Sequence, residues 1–246
     1  MTGTGWATTA ILLAAAAPLP LRAVEWGASV TLASEYAFRG VTRSDGAALQ
    51  GGAHVQSAGG GFAGLWASNI DPQPAQIGGV EANVNAGWSF DLGGDWSAVL
   101  GWVRYLYPDA ASPRNRFDWS EYSVAFNHAD RLVVTASLAP DAPLYYVYGN
   151  FGSVRATALE ASWRQPLASG RWGSLALAVA VGRYDAAGRS REPYLAWNLG
   201  VAAAAGPFDI TLARFGVDDE GRRLFAPAAA DQRWIVSVTW RYRPGT

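Results

Sequence analysis

Residues 34–71 read SEYAFRGVTRSDGAALQGGAHVQSAGGGFAGLWASNID, and their alternation decides the fold of the chain. After a polar loop, Leu49 and Val55 fall on one face of an extended segment, and Gln50 and His54 fall on the other. A turn of small residues follows, and the run GFAGLWASN alternates again. A strand with one apolar and one polar face lies between two unlike surroundings. The stretch therefore predicts either a half-buried soluble sheet or a membrane barrel.

The residues before the polar loop show the same period of two. They predict a first strand over residues 28–39, whose polar face carries Glu35 and Arg39. The apolar face of this strand consists of Val30, Leu32, Tyr36 and Phe38.

The rest of the chain continues as strand-like runs, twelve in all, without a competing helical period. The runs are 28–39, 47–57, 61–70, 79–90, 95–107, 118–128, 131–139, 154–165, 172–184, 193–204, 207–217 and 231–242. Short turns alternate along the chain with longer polar connections at 40–46, 71–78, 108–117, 140–153, 185–192 and 218–230. Up-and-down outer-membrane barrels show this alternation and Greek-key sandwiches do not. We therefore predict an all-β, transmembrane up-and-down antiparallel β-barrel of twelve strands, with periplasmic termini and the long connections outside.

Composition agrees with this fold class. The chain has 246 residues, no cysteine and a formal net charge of −1, so neither a disulfide framework nor a basic stripe for nucleic acid is present. No mature segment reaches the ~18 consecutive apolar residues of a transmembrane helix. Residues 1–23 resemble a secretory signal, with an apolar run ended by Pro18 and a small residue, Ala23, at the cleavage point. Residues 24–246 then form a single barrel domain; the alternative for 1–23 is a disordered N-terminus.

Aromatic residues cluster near the ends of the runs, as the interface girdles of a membrane barrel require. The predicted periplasmic girdle comprises Trp88, Phe90, Trp96, Trp163, Trp172, Phe208, Trp240 and Tyr242. The predicted outer girdle comprises Tyr36, Phe38, Tyr105, Tyr107, Trp119, Tyr122 and Trp234. The last run, RWIVSVTWRY, ends its apolar face on large aromatics, as a lipid-facing strand does.

Several segments carry a family resemblance. YAFRGVTRSDGAALQGG followed by GFAGLWASNID resembles the TorF-type outer-membrane porins, a proteobacterial family of conserved hypothetical proteins. LGWVRYLYPDA, FDWSEYSVAF and RWIVSVTWRY fit the same pattern, so the resemblance extends from Val24 to Tyr242. It implies an outer-membrane barrel that acts as a general diffusion channel, with no established substrate and no catalytic residues.

Alternation also predicts which side chains face the barrel lumen. The predicted pore-lining residues are Glu35, Arg39, Gln50, His54, Gln56, Glu81, Asn83, Asn85, Glu121, Glu160, Arg164, Asn198, Arg233 and Arg241, together with Asn127 and Asp209. Their charges either stabilise a closed tube or line a hydrated path that sorts solutes. Closure of the first strand on the last would place Glu35 and Arg39 opposite Arg233 and Arg241. We also predict that Arg104 points inward, because an arginine at the lipid midplane costs ~2–4 kcal/mol.

Catalytic chemistry has few candidates in this sequence. Of the two histidines, His54 falls on the polar face and His128 at a turn without a serine close in sequence, so an outer-membrane lipid hydrolase is disfavoured. Neither a cofactor nor a metal ion is expected. The main hypothesis is a porin for passive diffusion of small hydrophilic solutes or ions, in contact with outer-membrane lipids and lipopolysaccharide. The alternative is a plugged structural or adhesive barrel that acts through its outer loops, with Tyr145 and Phe151 in the 140–153 loop.

Overall fold

The computed structural model describes residues 25–71, 79–110, 117–143, 153–187, 192–242 and 244. The strands are β1 (Glu25–Ala33), β2 (Ala37–Phe38), β3 (Val41–Thr42), β4 (Ala48–Gln56), β5 (Gly61–Asn69), β6 (Val80–Gly93), β7 (Trp96–Leu106), β8 (Trp119–His128), β9 (Leu132–Pro143), β10 (Ser153–Gly170), β11 (Gly173–Ala187), β12 (Tyr194–Ala205), β13 (Phe208–Val217) and β14 (Arg233–Tyr242). Two short helices, α1 (Asp219–Leu224) and α2 (Pro227–Ala230), lie between β13 and β14. No helix in the described part of the chain is long and apolar enough to span a membrane.

All strands except β2 and β3 form one closed antiparallel barrel of twelve strands. From β4 to β14 each strand pairs with its neighbours in the chain, and β1 pairs with both β4 and β14. The seam aligns Ala28 with Tyr242 and Ala33 with Ser237. Pairing of every barrel strand satisfies the backbone groups that lipid could not, and the predicted fold class is confirmed.

The two ends of the barrel differ in how their strands are joined. At one end, here called the turn end, the chain reverses within a few residues, often with positive φ angles, as at Gly93 (78°) and Ala129 (51°). The other end, the loop end, carries the longer connections. Those predicted at 71–78, 108–117, 140–153 and 185–192 lie wholly or partly outside the described residues, as does the predicted signal segment 1–23.

Exposure alternates along the strands as the outer and inner surfaces of a membrane barrel require. On β1 and β5 the outward Leu32 and Leu65 are 59% and 60% exposed, while the inward Thr31 and Ser68 are 8% and 2% exposed. All eight aromatics of the predicted periplasmic girdle are exposed around the turn end.

The prediction of the outer girdle is mostly wrong. Only Tyr122 and Trp234 are exposed on the outer surface. The other five lie inside the barrel and are Tyr36, Phe38, Tyr105, Tyr107 and Trp119. Their hydrophobicity indicated a lipid-facing position, but the β-sheet register turns Tyr105 and Trp119 inward, where they pack against a segment that enters the lumen.

That segment is the main departure from the predicted fold. Strand β1 ends at Ala33 instead of residue 39. At Ser34 the side-chain hydroxyl accepts from Val236 N (3.1 Å) in place of a backbone carbonyl, while the Ser34 N–H still donates to Val236 O (2.8 Å). Residues 34–47, here called the inward segment, then fold into the lumen and return to the wall at Ala48. The predicted outer loop at 40–46 is therefore wrong for residues 40–44, which pack inside the barrel, whereas Asp45 is exposed.

The prediction that Arg104 points into the lumen is also wrong. Opposite Val84 on β6 and Ser120 on β8, it faces outward. Its guanidinium donates to Asp141 Oδ2 and to Ser120 Oγ, each at 3.1 Å, and the side chains of Arg104 and Asp141 are 32% and 40% exposed. Near a strand end the cost of an outward arginine falls towards zero, so the midplane argument does not apply.

Candidate functional site in the barrel lumen

The inward segment is built around a two-residue β-hairpin. Strands β2 and β3 pair Ala37 with Thr42 and Phe38 with Val41. Arg39 and Gly40 form the turn, with φ angles of 53° and 79°, as a type I′ turn requires. The hairpin is therefore a preorganised element whose tip carries an arginine side chain.

Gly40 presses the tip against the barrel wall. A Cβ atom at this position would lie 2.7 Å from Ala196 Cβ, 2.8 Å from Val217 Cγ1 and 2.9 Å from Gly216 O. Glycine is thus required twice, by the positive φ angle and by the close approach to β12 and β13.

The base of the inward segment is fixed by Glu81, which is only 1% exposed. Its carboxylate accepts hydrogen bonds from the Tyr36 hydroxyl (2.8 Å), the Tyr107 hydroxyl (3.0 Å) and Arg43 Nη2 (2.9 Å). Arg43 Nη2 also donates to Tyr107 Oη at 2.6 Å. This group, the Glu81 cluster, is a buried, hydrogen-bonded anchor between the segment and strand β6.

The tip of the hairpin makes a second ionic contact across the lumen. Arg39 Nη2 donates to Glu121 Oε2 at 2.7 Å and lies 3.8 Å from Glu160 Oε2 and 3.4 Å from Ser137 Oγ. The guanidinium also lies over the ring of Tyr184, with Cζ 4.8 Å from the centroid. Arg39, Glu121, Ser137, Glu160 and Tyr184 are here called the tip cluster.

Electrostatics favour the charged form of Arg39. Burial opposes the charge, but the carboxylates of Glu121 and Glu160 outweigh it and hold the pKa well above the ordinary value for arginine. The side chains of Arg39 and Glu121 nevertheless remain 13% and 12% exposed, unlike Glu81. Since both face the barrel interior, their exposed atoms border space that water can enter.

The predicted charges at the seam separate into different groups. Glu35 accepts from Arg233 Nη1 at 2.9 Å, as the seam pattern predicts. Arg241 pairs instead with Asp209 at 2.5 Å, towards the turn end, where Arg164 is attracted by Asp209 and repelled by Arg241. Arg39 meets neither of these arginines because the inward segment takes it to the opposite wall.

The other residues predicted to face the lumen do so. Gln50, Asn83 and Asn127 are buried at inward positions, and Asn85 and Asn198 are half-buried. His54 and Gln56 lie on the same inward face at the turn end, where His54 is exposed and its ring approaches Gly27.

Sequence reasoning missed Arg43, Ser137 and Tyr184. Arg43 falls in the connection assigned to the outside, and the other two are ordinary residues of alternating strands. The sequence did contain a signal: a glycine follows Arg39 between two short β-prone pairs, AF and VT, as in a hairpin. Among the described residues no group of three or more histidine or acidic side chains is placed to hold a metal ion.

Two small cavities lie beside the inward segment in the described part of the chain. A cavity of about 10 Å³ lies between Glu35, Gln50 and Ser237, and another of the same size lies between Arg39, Tyr184 and Asn198. Each has room for about one water molecule. At the loop end α1 and α2 lie beside the segment, where Thr42 Oγ1 donates to Ala229 O at 3.4 Å and Val41 packs near Ala230.

A closed barrel with an apolar outer surface, exposed aromatic residues around its turn end and a charged interior defines an outer-membrane-type β-barrel. The chain belongs to the family Gcw_chp, described as "Bacterial protein of unknown function", whose model matches residues 18–240. No curated protein matches the sequence.

Solved porins share the fold at very low sequence identity. The NanC porin is 7% identical, with 90% of this chain and 99% of that chain covered and a TM-score of 0.52. The KdgM porin is 10% identical over 87% of this chain and 98% of that chain, with a TM-score of 0.51. A structure of KdgM porin in complex with disordered oligogalacturonate gives 8% identity, coverage of 88% and 98%, and a TM-score of 0.51. At these identities the likeness is one of fold.

Proposed function

We propose that the protein is a narrow outer-membrane channel for passive diffusion of small hydrophilic solutes or ions, constricted by its inward segment. The observation that carries this proposal is the contrast between the two ends of the segment. In the Glu81 cluster the side chains of Glu81 and Arg43 are 1% and 8% exposed, whereas those of Glu121 and Arg39 retain 12% and 13% exposure inside the barrel. The tip of the hairpin is therefore more accessible to water than its base, as a hydrated path along one wall requires.

The porin folds of NanC and KdgM and the resemblance to TorF-type porins support this function and a place in the bacterial outer membrane. There the apolar surface would contact membrane lipids and lipopolysaccharide. We propose that transport involves neither catalysis nor a cofactor. The histidine on the outer surface, His128, packs its ring against Trp96 at a centroid distance of 4.5 Å, which is a structural role.

A specific observation also favours the second candidate, a plugged barrel that acts through its outer surface. The inward segment and helices α1 and α2 together occupy the loop end of the lumen. Tyr145 and Phe151, which could serve an adhesive surface, lie outside the described residues. The two candidates differ in one measurable property, because a plugged barrel carries no current.

Single-channel recording of the purified, refolded protein in planar bilayers tests the proposal. The wild-type protein should conduct, and Arg39→Ala combined with Arg241→Ala should shift the reversal potential towards cations, since fixed charge in a narrow lumen selects the counter-ion. Arg104→Ala, which removes an arginine on the outer surface of the barrel, should leave the reversal potential unchanged. Absence of current in all three proteins would favour the plugged barrel and overturn the channel.

A further inference from the structure

We propose that the barrel wall formed by Glu121, Ser137, Glu160 and Tyr184 is a binding site for guanidinium-bearing organic cations, and that Arg39 occupies it as an internal ligand. The proposal rests on the proposed channel for the route by which a solute reaches the site. It adds the chemical class of solute that the lumen recognises.

The site belongs to the wall and exists independently of the segment that fills it. Its residues come from the consecutive strands β8 to β11 at inward positions. The register aligns Ser137 with Ala158 on β10 and Glu160 with Gly182 on β11. Four hydrogen-bonded strands therefore hold these side chains, whereas Arg39 arrives from a separate hairpin and touches this wall through its side chain.

The chemistry of the wall matches a guanidinium group. A planar, always-charged fork binds best to carboxylates at its edge and an aromatic ring on its face. Glu121 and Ser137 accept at the edge, and the Tyr184 ring covers the face at 4.8 Å. The Tyr184 hydroxyl donates to Glu160 Oε1 at 2.5 Å, which orients the other oxygen, Oε2, towards the guanidinium.

Charge and spare hydrogen-bonding capacity point to a ligand beyond Arg39. Two carboxylates surround one guanidinium, so the tip cluster carries a formal excess of one negative charge. On the same inward face of β8, Trp119 is only 5% exposed, and its Nε1 donor has no hydrogen-bond partner among the described residues. Its ring packs against Phe38, next to Arg39, at a centroid distance of 6.5 Å.

The Tyr105 hydroxyl supplies a second unused group at this wall. Tyr105 is 2% exposed, stacks on Trp119 at 4.1 Å, and makes no hydrogen bond within the described part of the chain. It lies within electrostatic range of Glu121, Arg39 and Glu160. A solute that carries polar groups beside its guanidinium could use both aromatic groups, which Arg39 leaves without partners.

The test is chemical rescue of an emptied site. Arg39→Gln removes the internal guanidinium and leaves the wall intact. The thermal midpoint of this variant in detergent micelles should fall relative to wild type and rise saturably with guanidinium chloride or agmatine at low millimolar concentration. At ten times Kd the rise should be about 3 °C for a chain of this size. Guanidinium as a denaturant acts in the opposite direction, so the sign identifies binding.

Three controls separate this site from general ionic effects. Urea has the same planar shape without charge and should not rescue. Arg233→Gln breaks a different lumen ion pair, that with Glu35, where no aromatic ring of the described residues lies over the guanidinium. The thermal midpoint of this variant should change little with guanidinium chloride or agmatine. Arg39→Gln combined with Glu121→Gln and Glu160→Gln should lose the response.

Equal rescue by urea, equal rescue of Arg233→Gln, or no saturable rise in Arg39→Gln would overturn the site. Should Arg39→Gln fail to fold, refolding in the presence of agmatine decides: recovery of the heat-modifiable barrel with agmatine and not with urea supports the site, and no recovery overturns it. These measurements need no current. A barrel that binds guanidinium yet never conducts would overturn the channel alone.

Discussion

Replacement of Arg43 by methionine tests the anchor of the inward segment. Methionine keeps much of the length of the side chain but removes its charge and hydrogen bonds. Glu81, 1% exposed, would then keep only its two tyrosine donors. Burial raises the pKa of Tyr36 well above its ordinary value, and the negative charge of Glu81 raises it further, so this hydroxyl remains a donor and cannot supply the missing positive charge.

The magnitude follows from the geometry of the pair. Arg43 Nη2 lies 2.9 Å from Glu81 Oε2, and the two side chains are 8% and 1% exposed. Unit charges about 4 Å apart attract by about 4 kcal/mol at an effective dielectric constant of about 20. Removal of one partner from a buried pair costs about 3–5 kcal/mol. We therefore expect Arg43→Met to lower the free energy of unfolding by about 3–5 kcal/mol.

Equilibrium urea unfolding in lipid vesicles, followed by tryptophan fluorescence, measures this loss. The double variant Arg43→Met/Glu81→Gln should recover most of it, because the neutral amide can accept from one tyrosine hydroxyl through its oxygen and donate to the other through its NH2 group. The remaining cost should be about 1 kcal/mol. Arg222→Met, whose partner Asp219 is 78% exposed, is the matched control and should cost no more than about 1 kcal/mol. Equal losses for Arg43→Met and Arg222→Met, or a double variant as unstable as the sum of its single changes, would refute the buried anchor.

Two further predictions concern the turn of the hairpin and the orientation of the barrel. Gly40→Ala should cost at least about 1 kcal/mol more in urea unfolding than Gly93→Ala, because an added methylene clashes with a packed wall. The φ angles are 79° and 78°, but of the two only Gly40 has wall atoms within 4 Å of the Cβ atom that alanine would add. Equal costs would contradict the contact. The chain has no native cysteine, so single cysteines can report which end of the barrel is outside. Arg223→Cys at the loop end should react with a membrane-impermeant maleimide on intact cells, whereas Arg171→Cys at the turn end should react only after the outer membrane is permeabilised. The reverse pattern would mean that the topology is inverted.

The barrel could be predicted from the sequence because its cause is local. Each strand must alternate between lipid and lumen, so period two and the alternation of short and long connections contain the twelve strands and their inward faces. The lumen positions of Glu81, Glu121 and Glu160 follow from the same rule.

The inward segment could not be predicted in the same way. Tyr36 and Phe38 continue the alternation of β1, so their pattern is that of a lipid-facing strand end even though the chain leaves the wall at Ser34. Whether a connection enters the lumen depends on partners distant in sequence, here Glu81 and Glu121. The partners of Arg39 were therefore missed although its inward location was expected. The predicted inward orientation of Arg104 was wrong for a different reason. The free-energy cost of an outward arginine depends on its depth in the membrane, and Arg104 lies near a strand end.

The most direct test of a channel constricted by its inward segment is to remove that segment and measure conductance. Ala33 and Ala48 are directly paired across β1 and β4, so an Asn-Gly type I′ turn can replace residues 34–47 without a change of register. In planar bilayers the shortened barrel should show a single-channel conductance several-fold larger than that of the wild-type protein. Equal conductance of the two proteins, or no current through the shortened barrel, would contradict the account.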